Sequence, residues 1–577
     1  MSSSDTAENP PPLSGREPQE VLPWRGGALT PGRLQWALGA FLVLGLAARA
    51  VRYFLVFPLW EDECFLLVNL LDRGYLEMAE ALRLHQVAPI FFLWGELGVV
   101  DLLGFSELSV RLLPFVSGVA SLFLFRHLAG RLLGGGALVL AVAVFAVAYP
   151  GIRYAAEAKP YGTDLLASLV LLVLFVEWWR RPEKSSWLWA LAAVVPLAVG
   201  LSYPSVFVAG GLSLALAHVL WHERRRSGWL PWSAYNLLLV ASFLAHYLLV
   251  TRGQAAVELD WMRDYWEGAF PPPLSEPLAF LRWLAAIHTG GLMAWPVGGA
   301  RGASTLTTLC CLAGLVSLFR ARRVVVILLC VLPPALNFIA ALLHRYPYGG
   351  HPKFSLPVAA AICLTAGLGG AALIEWWMRR RGRGAGALAV VLVLLAAVGA
   401  GSVVRDVARP YKTRSDQRAR AFARWFYFNA EDQGEVVCLK ADLGTTAGEL
   451  ALPRLPVDDY CPESDHDLSW EAMYLCNQRI YSPRHSRGEP PDLARVSAER
   501  PLWCVHYRVS KFDCDEPLLE RWLREMNRRY ELVGKMSYPF PRYDKRERRR
   551  LEVDHVDVYR FVPGSTGEEP GGESDEK

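Results

Sequence analysis

Three acidic residues in a row, Glu61-Asp62-Glu63, follow Trp60 at the end of the first strongly apolar stretch of the 577-residue chain. A carboxylate fixed beside a hydroxyl can take its proton as that oxygen attacks, so this cluster is a candidate for general-base chemistry. A second acidic site, Glu157, lies in the run Arg153-Tyr154-Ala155-Ala156-Glu157-Ala158-Lys159-Pro160-Tyr161, with Asp164 as the alternative beside it. A third group, Arg345, His351 and Lys353, flanks Tyr346-Pro347-Tyr348-Gly349-Gly350. Glycines there let backbone N–H groups approach a phosphate, and the cations offset its charge. His85, soon after the first cluster, has the chemistry to bind a metal or orient a phosphate.

These residues need a scaffold, and the composition says which kind. Hydrophobic residues make up 53% of the chain and concentrate between 34 and 404, in runs separated by arginine clusters. Such runs have the length of a bilayer core, roughly 20 residues. The chain therefore reads as an all-α polytopic membrane domain with soluble ends. The net charge of +4 reflects arginines in short loops, a pattern that reports orientation and not a nucleic-acid partner.

Arg16, Arg25 and Arg33 precede the first apolar segment, 34–57, which is too long for a cleavable signal peptide. The N-terminus is then cytoplasmic and Glu61-Asp62-Glu63 emerges outside. Glu96 and Asp101 interrupt the next apolar stretch, so 58–107 reads as one outer loop with two juxtamembrane helices, 65–84 and 89–103. With that choice 108–133 runs inward, 137–149 returns outward, and Glu157 shares a face with Asp62. Each later basic cluster, at Arg180-Arg181, Arg224-Arg225-Arg226, Arg320 to Arg323 and Arg379 to Arg383, then falls inside. The remaining spans are 162–178, 187–203, 204–221, 231–250, 303–319, 324–343, 354–378 and 385–404, for about eleven transmembrane helices. A large outer loop, 252–302, holds Trp261, Tyr265 and Trp266 as candidates to line an acceptor groove, and its 280–295 part reads as reentrant or interfacial.

Beyond 404 the composition turns polar. Residues 435–439, 502–507 and 555–561 read as strands and 516–529 as an amphipathic helix, giving a small C-terminal α/β soluble domain over 405–563. The ends, 1–30 and 564–577, have the composition of disordered segments. Of ten cysteines, Cys64, Cys310, Cys311, Cys330 and Cys363 lie in or beside apolar segments. The other five, Cys438, Cys461, Cys476, Cys504 and Cys514, lie in the soluble part, where disulfides are an option outside the cytoplasm.

In order and sidedness, the motifs resemble the C superfamily of membrane glycosyltransferases. They are Asp62-Glu63, His85 with Pro89, Arg111 with Pro114, Arg153-Tyr154 with Glu157-Ala158-Lys159-Pro160-Tyr161, and Tyr346-Pro347-Tyr348-Gly349-Gly350. The likeness covers about 34–404 and is nearest to the protein O-mannosyltransferase and aminoarabinose-lipid A transferase group. It implies an inverting transfer of a sugar from a polyprenyl-phosphate donor to a hydroxyl acceptor (lipid, glycan or protein) at the outer face of a membrane, expected to be the bacterial plasma membrane. The resemblance implies that Asp62 is the base, with Glu63 next in line, and that Glu157 helps place the substrate or a metal. His85, Arg153, Lys159, Tyr161, Arg345, Tyr346, His351 and Lys353 are the expected substrate-binding set, the leaving phosphate falling to Arg345, His351 and Lys353. Family members often carry an arginine where this chain has His351 or Lys353. No cofactor is assigned, and a divalent metal is left open.

Structural readings stand beside these. Glu61, Asp62 and Glu63 can simply cap the helix that follows. Glu157 can pair with Arg153 or Lys159, His85 can be hydrogen-bonded only, and the cations near 350 can snorkel to the interface. A lipid or solute transporter is the rival function, since membrane-buried charge suits it too. Against it, the charges fall in outer loops and no inverted repeat is visible.

Overall fold

The computed structural model describes residues 30–67, 69–82, 86–255, 266–299, 302–381, 386–410, 420 and 527, and the strands 435–439, 502–508, 530–543 and 550–563. The expected disordered ends but for residue 30, His85, Trp261, Tyr265 and all but residue 527 of the helix expected at 516–529 lie outside these residues. So do the cysteines Cys461, Cys476 and Cys514.

Each apolar run of the sequence is a helix. In chain order they are α1 (Pro31–Phe54), α2 (Glu61–Leu67), α3 (Ile90–Leu103), α4 (Leu112–Leu132), α5 (Gly135–Ala146), α6 (Tyr149–Arg153), α7 (Tyr161–Arg180), α8 (Ser186–Leu201), α9 (Ser205–His222), α10 (Trp229–His246), α11 (Pro277–His288), α12 (Thr305–Arg320), α13 (Val324–Leu342), α14 (Ala359–Arg381) and α15 (Ala387–Ala408). Among the described residues eight helices are long and apolar enough to cross a bilayer, and the bent pair of α5 with the segment from Tyr149 makes up to nine. Helices α8 and α12 are apolar but shorter. The chain is an integral membrane protein. Helix α3, of 14 residues, spans only about 21 Å and falls short of the hydrocarbon core.

Local chemistry sets the ends and breaks that matter for the site. Thr30 accepts from the N–H of Arg33 and Pro31 opens α1, the arrangement that satisfies a helix start. Between α5 and α6 the axis bends by 49°. Pro150 has no N–H to offer the last turn of α5, and the Ala146 carbonyl instead accepts from the buried Arg49 Nη1 at 3.0 Å. The N–H of Tyr149 donates to the Pro296 carbonyl at 2.8 Å. This bend delivers Arg153 to Lys159 to the end of the bundle that carries Asp62.

One expectation needs correction. The juxtamembrane helix expected over 65–84 stops at Asp72; among the described residues there only Glu61–Leu67 and Asn69–Asp72 are α-helical, and a short 3-10 turn follows at Glu77–Ala79. Gly74 follows the end of the helix, and Arg73 Nη1 turns the chain back by donating to the Ala81 carbonyl at 2.8 Å. The span expected over 354–378 is found as Pro352–Arg380, its first part a 3-10 segment, Pro352–Val358, where Pro357 removes a helical donor.

The core is packed through small residues where helices cross. At Gly369 of α14 an added Cβ would lie 1.8 Å from the Cys310 carbonyl oxygen, and at Gly314 of α12 it would lie 2.1 Å from the Thr365 carbonyl oxygen. Glycine lets these two helices touch backbone to backbone. In the C-terminal region β1 (Glu435–Leu439), β2 (Leu502–Arg508), β3 (Tyr530–Tyr543) and β4 (Arg550–Pro563) form one sheet in the order β1-β2-β4-β3. The β1–β2 pair is parallel and the other two are antiparallel. Strand β3 was not expected from the sequence.

Candidate active site

The turn between α1 and α2 is held by one arginine. Arg111, at the start of α4, donates from Nε and Nη2 to the two carboxylate oxygens of Glu63 at 2.7 and 2.5 Å. It also donates to the Phe57 carbonyl at 2.5 Å and the Pro58 carbonyl at 3.2 Å. Glu63 further accepts from the backbone N–H of Trp60 at 3.2 Å and of Ala158 at 2.8 Å. Both side chains are buried, Glu63 completely. The planar guanidinium matches the carboxylate fork, so this pair ties the Glu61–Leu67 helix to α4 and to the 153–161 segment at once.

Asp62, the next residue back, turns the other way and is about a quarter exposed. Its Oδ1 lies 3.5 Å from Lys159 Nζ and its Oδ2 lies 3.7 Å from Lys353 Nζ. Two ammonium groups on opposite oxygens aim the carboxylate between them. Lys159 Nζ donates to Gln86 Oε1 at 2.6 Å. Lys353 Nζ sits 4.4 Å from the centre of the Trp266 ring and 5.2 Å from that of Tyr161, within cation–π range.

The other expected residues divide into two groups. Arg153 Nη2 donates to Glu157 Oε1 at 3.1 Å, and Oε2 of the buried Glu157 has no hydrogen-bond partner among the described residues. His351 Nδ1 lies 3.3 Å from the Tyr154 hydroxyl and 3.3 Å from the Lys353 backbone N–H, and its ring packs edge-on to Trp266. These residues, with Asp62, Lys159, Tyr161 and Lys353, form one connected cluster. Tyr346 packs edge-on against Phe207 and Phe354, one layer away. Burial, reinforced by Asp164, pushes its phenol well above the usual value, and burial pushes Tyr348 up to about 12; both remain neutral donors. Arg345 is exposed on the turn after α13.

The sequence reading assigned no role to Gln86 and used Arg111 only as a marker. The sequence signal for Gln86 is its place beside His85 in His85-Gln86-Val87. Among the described residues no group of three His, Cys, Asp or Glu side chains could hold a metal ion. The donor set around Asp62 is also unsuited to one, because two lysines within 4 Å would repel a dication.

No protein-family model matches the chain, and no curated protein matches it. Among solved structures it is similar to ArnT from Cupriavidus metallidurans bound to undecaprenyl phosphate, with a TM-score of 0.45 and 14% identity over 92% of this chain and 98% of that one. It is similar to the apo state of the same protein, with a TM-score of 0.43 and 13% identity over 90% and 98% of the two chains. The chemistry rests on the geometry of Asp62, Lys159 and Lys353.

Proposed function

We propose that this protein is an inverting glycosyltransferase that moves a sugar from a polyprenyl-phosphate donor to a hydroxyl acceptor at the outer face of the membrane. The observation that carries the reading is Asp62 held between Lys159 and Lys353. In the reaction the acceptor oxygen attacks the anomeric carbon and its proton passes to an Asp62 oxygen. The bond from that carbon to the phosphate oxygen breaks on the opposite face, so the configuration inverts. Negative charge grows on the departing phosphate, where Lys353 and the His351 ring offset it, with exposed Arg345 as a third cation. Glu157 is buried and helps place the substrate through Arg153, whose guanidinium it holds. Glu63 serves by fixing the turn, since both its oxygens are already engaged.

The accompanying topology is eleven spans with a cytoplasmic N-terminus, outer loops at 58–107 and 252–302, and the 405–563 region on the outer side of a bacterial plasma membrane. The test is transfer of radiolabelled sugar from a panel of polyprenyl-phosphate donors by purified protein, with Glu157→Gln alongside. Label in an acceptor, reduced by Glu157→Gln, supports the reading. Donor binding without turnover of any member of a broad panel counts for the transporter.

A further inference from the structure

Gln254 lies in the short helix Arg252–Ala255 that opens the large outer loop, directly after the π-helical turn Tyr247–Thr251. It is a buried amide, 3% exposed, and its side chain bonds to three distant segments. Its Oε1 accepts from the Ala88 N–H at 3.3 Å and lies 3.3 Å from the Tyr203 hydroxyl, while its Nε2 donates to the Met78 carbonyl at 3.3 Å. The Tyr203 hydroxyl also lies 3.0 Å from the Ala88 carbonyl. Both backbone groups of Ala88 are therefore met by Gln254 and Tyr203. Residues 86–89 belong to no helix or strand, so such bonds take the place of a ladder in fixing them. Two residues before Ala88 is Gln86, the partner of Lys159.

We propose that Gln254 is a positioning residue for the transfer reaction. It locks the 86–89 segment so that Gln86 holds the Lys159 ammonium against Asp62, and it thereby links the large outer loop to the base. The inference rests on the reading of Asp62 as the base, but the link from Gln254 to Lys159 has its own readout. A glutamine here supplies a donor on one side and an acceptor on the other. Leucine supplies neither, and glutamate reproduces both only when protonated.

The experiment has two arms on the full-length protein. In the first, acylation of Lys159 by an amine reagent is followed by mass spectrometry in wild type and Gln254→Leu. Release of Gln86 should raise the labelling rate at least about threefold, because the lysine now opens locally; an unchanged rate overturns the link whether or not the protein is a transferase. In the second, kcat for sugar transfer is measured for Gln254→Leu in the wild-type and Lys159→Ala backgrounds. The variant should lower kcat about tenfold or more with KM little changed in wild type, yet by less than about twofold where Lys159 is absent. Equal losses in both backgrounds overturn the positioning role. If Gln254→Leu does not fold, Gln254→Glu replaces it. Its activity relative to wild type should rise as pH falls and the buried carboxyl takes up a proton, and a ratio flat with pH contradicts the proposal. Absence of transfer by wild type with enhanced labelling in the variant would sink the enzymatic reading and leave the Gln254 link standing.

Discussion

Arg111 grips Glu63 through two parallel contacts, Nε to Oε1 at 2.7 Å and Nη2 to Oε2 at 2.5 Å, across 48 residues of chain. The same guanidinium takes the carbonyls of Phe57 and Pro58, so one side chain sets the corner from which Asp62 projects. Removing one member of a buried pair leaves the other charge uncompensated, at about 3–5 kcal/mol. Arg111→Leu should therefore lower the thermal unfolding midpoint in detergent markedly. Arg111→Lys, which lacks the fork, should recover part of it. A midpoint unchanged in Arg111→Leu would contradict this role.

Glu96 of α3 is buried, and neither of its oxygens has a hydrogen-bond partner among the described residues. Burial, with nearby Glu63 adding to it, holds its carboxyl well above the usual carboxylate range. The folded state thus keeps a proton that the unfolded chain releases. Stability from this group is greatest below the ordinary carboxylate pKa and falls as pH rises from there toward the raised value, by at most ~1.4 kcal/mol per pH unit. Glu96→Gln should remove that slope, so its advantage in unfolding temperature over wild type should widen from acid to neutral pH. An advantage that shrinks with pH would show that Glu96 is charged in the fold.

Lys353 reaches Asp62 and lies over Trp266. If it meets the phosphate of the donor, Lys353→Gln removes a charge-assisted bond of roughly 1.5–3 kcal/mol. Affinity for polyprenyl phosphate, measured by equilibrium binding, should fall at least about tenfold. Unaltered affinity would move the phosphate elsewhere, with exposed Arg345 as the next choice.

Gly369 and Gly314 set the contact between α12 and α14. Gly369→Ala drives a methyl into the Cys310 carbonyl, and overpacking of this kind costs about 1–3 kcal/mol or more. A lower unfolding midpoint is expected; a midpoint at or above that of wild type would mean that the helices are less closely apposed.

Much of this was legible in the sequence, for physical reasons. Runs such as 324–343 are as long as the bilayer is thick, and little else explains them. The resemblance groups Asp62, Arg153, Glu157, Lys159, Tyr161, His351 and Lys353 with His85, Arg345 and Tyr346; the first seven lie together, Arg345 and Tyr346 lie apart from them, and His85 is outside the described residues. What stayed hidden depends on pairing across long sequence separations. Nothing in Glu63 or Arg111 alone announces a two-pronged bond, and Gln86 looks like any polar loop residue until Lys159 is beside it. The helix expected over 65–84 overran because its apolar pattern continues past Gly74, while the Arg73 bond to Ala81 that turns the chain has no periodicity to read. Strand β3 carries prolines at 539 and 541, which argue against a strand when read locally.

If Asp62 takes the proton of the acceptor, an amide in its place must stop transfer without loosening the donor. The most direct measurement is single-turnover sugar transfer by wild type and Asp62→Asn in parallel with polyprenyl-phosphate binding by both. Asparagine keeps the shape but cannot take the proton, so transfer should fall by about 10²–10⁴ while lipid affinity changes little. Transfer by Asp62→Asn within a few-fold of wild type, at equal lipid binding, would contradict the account.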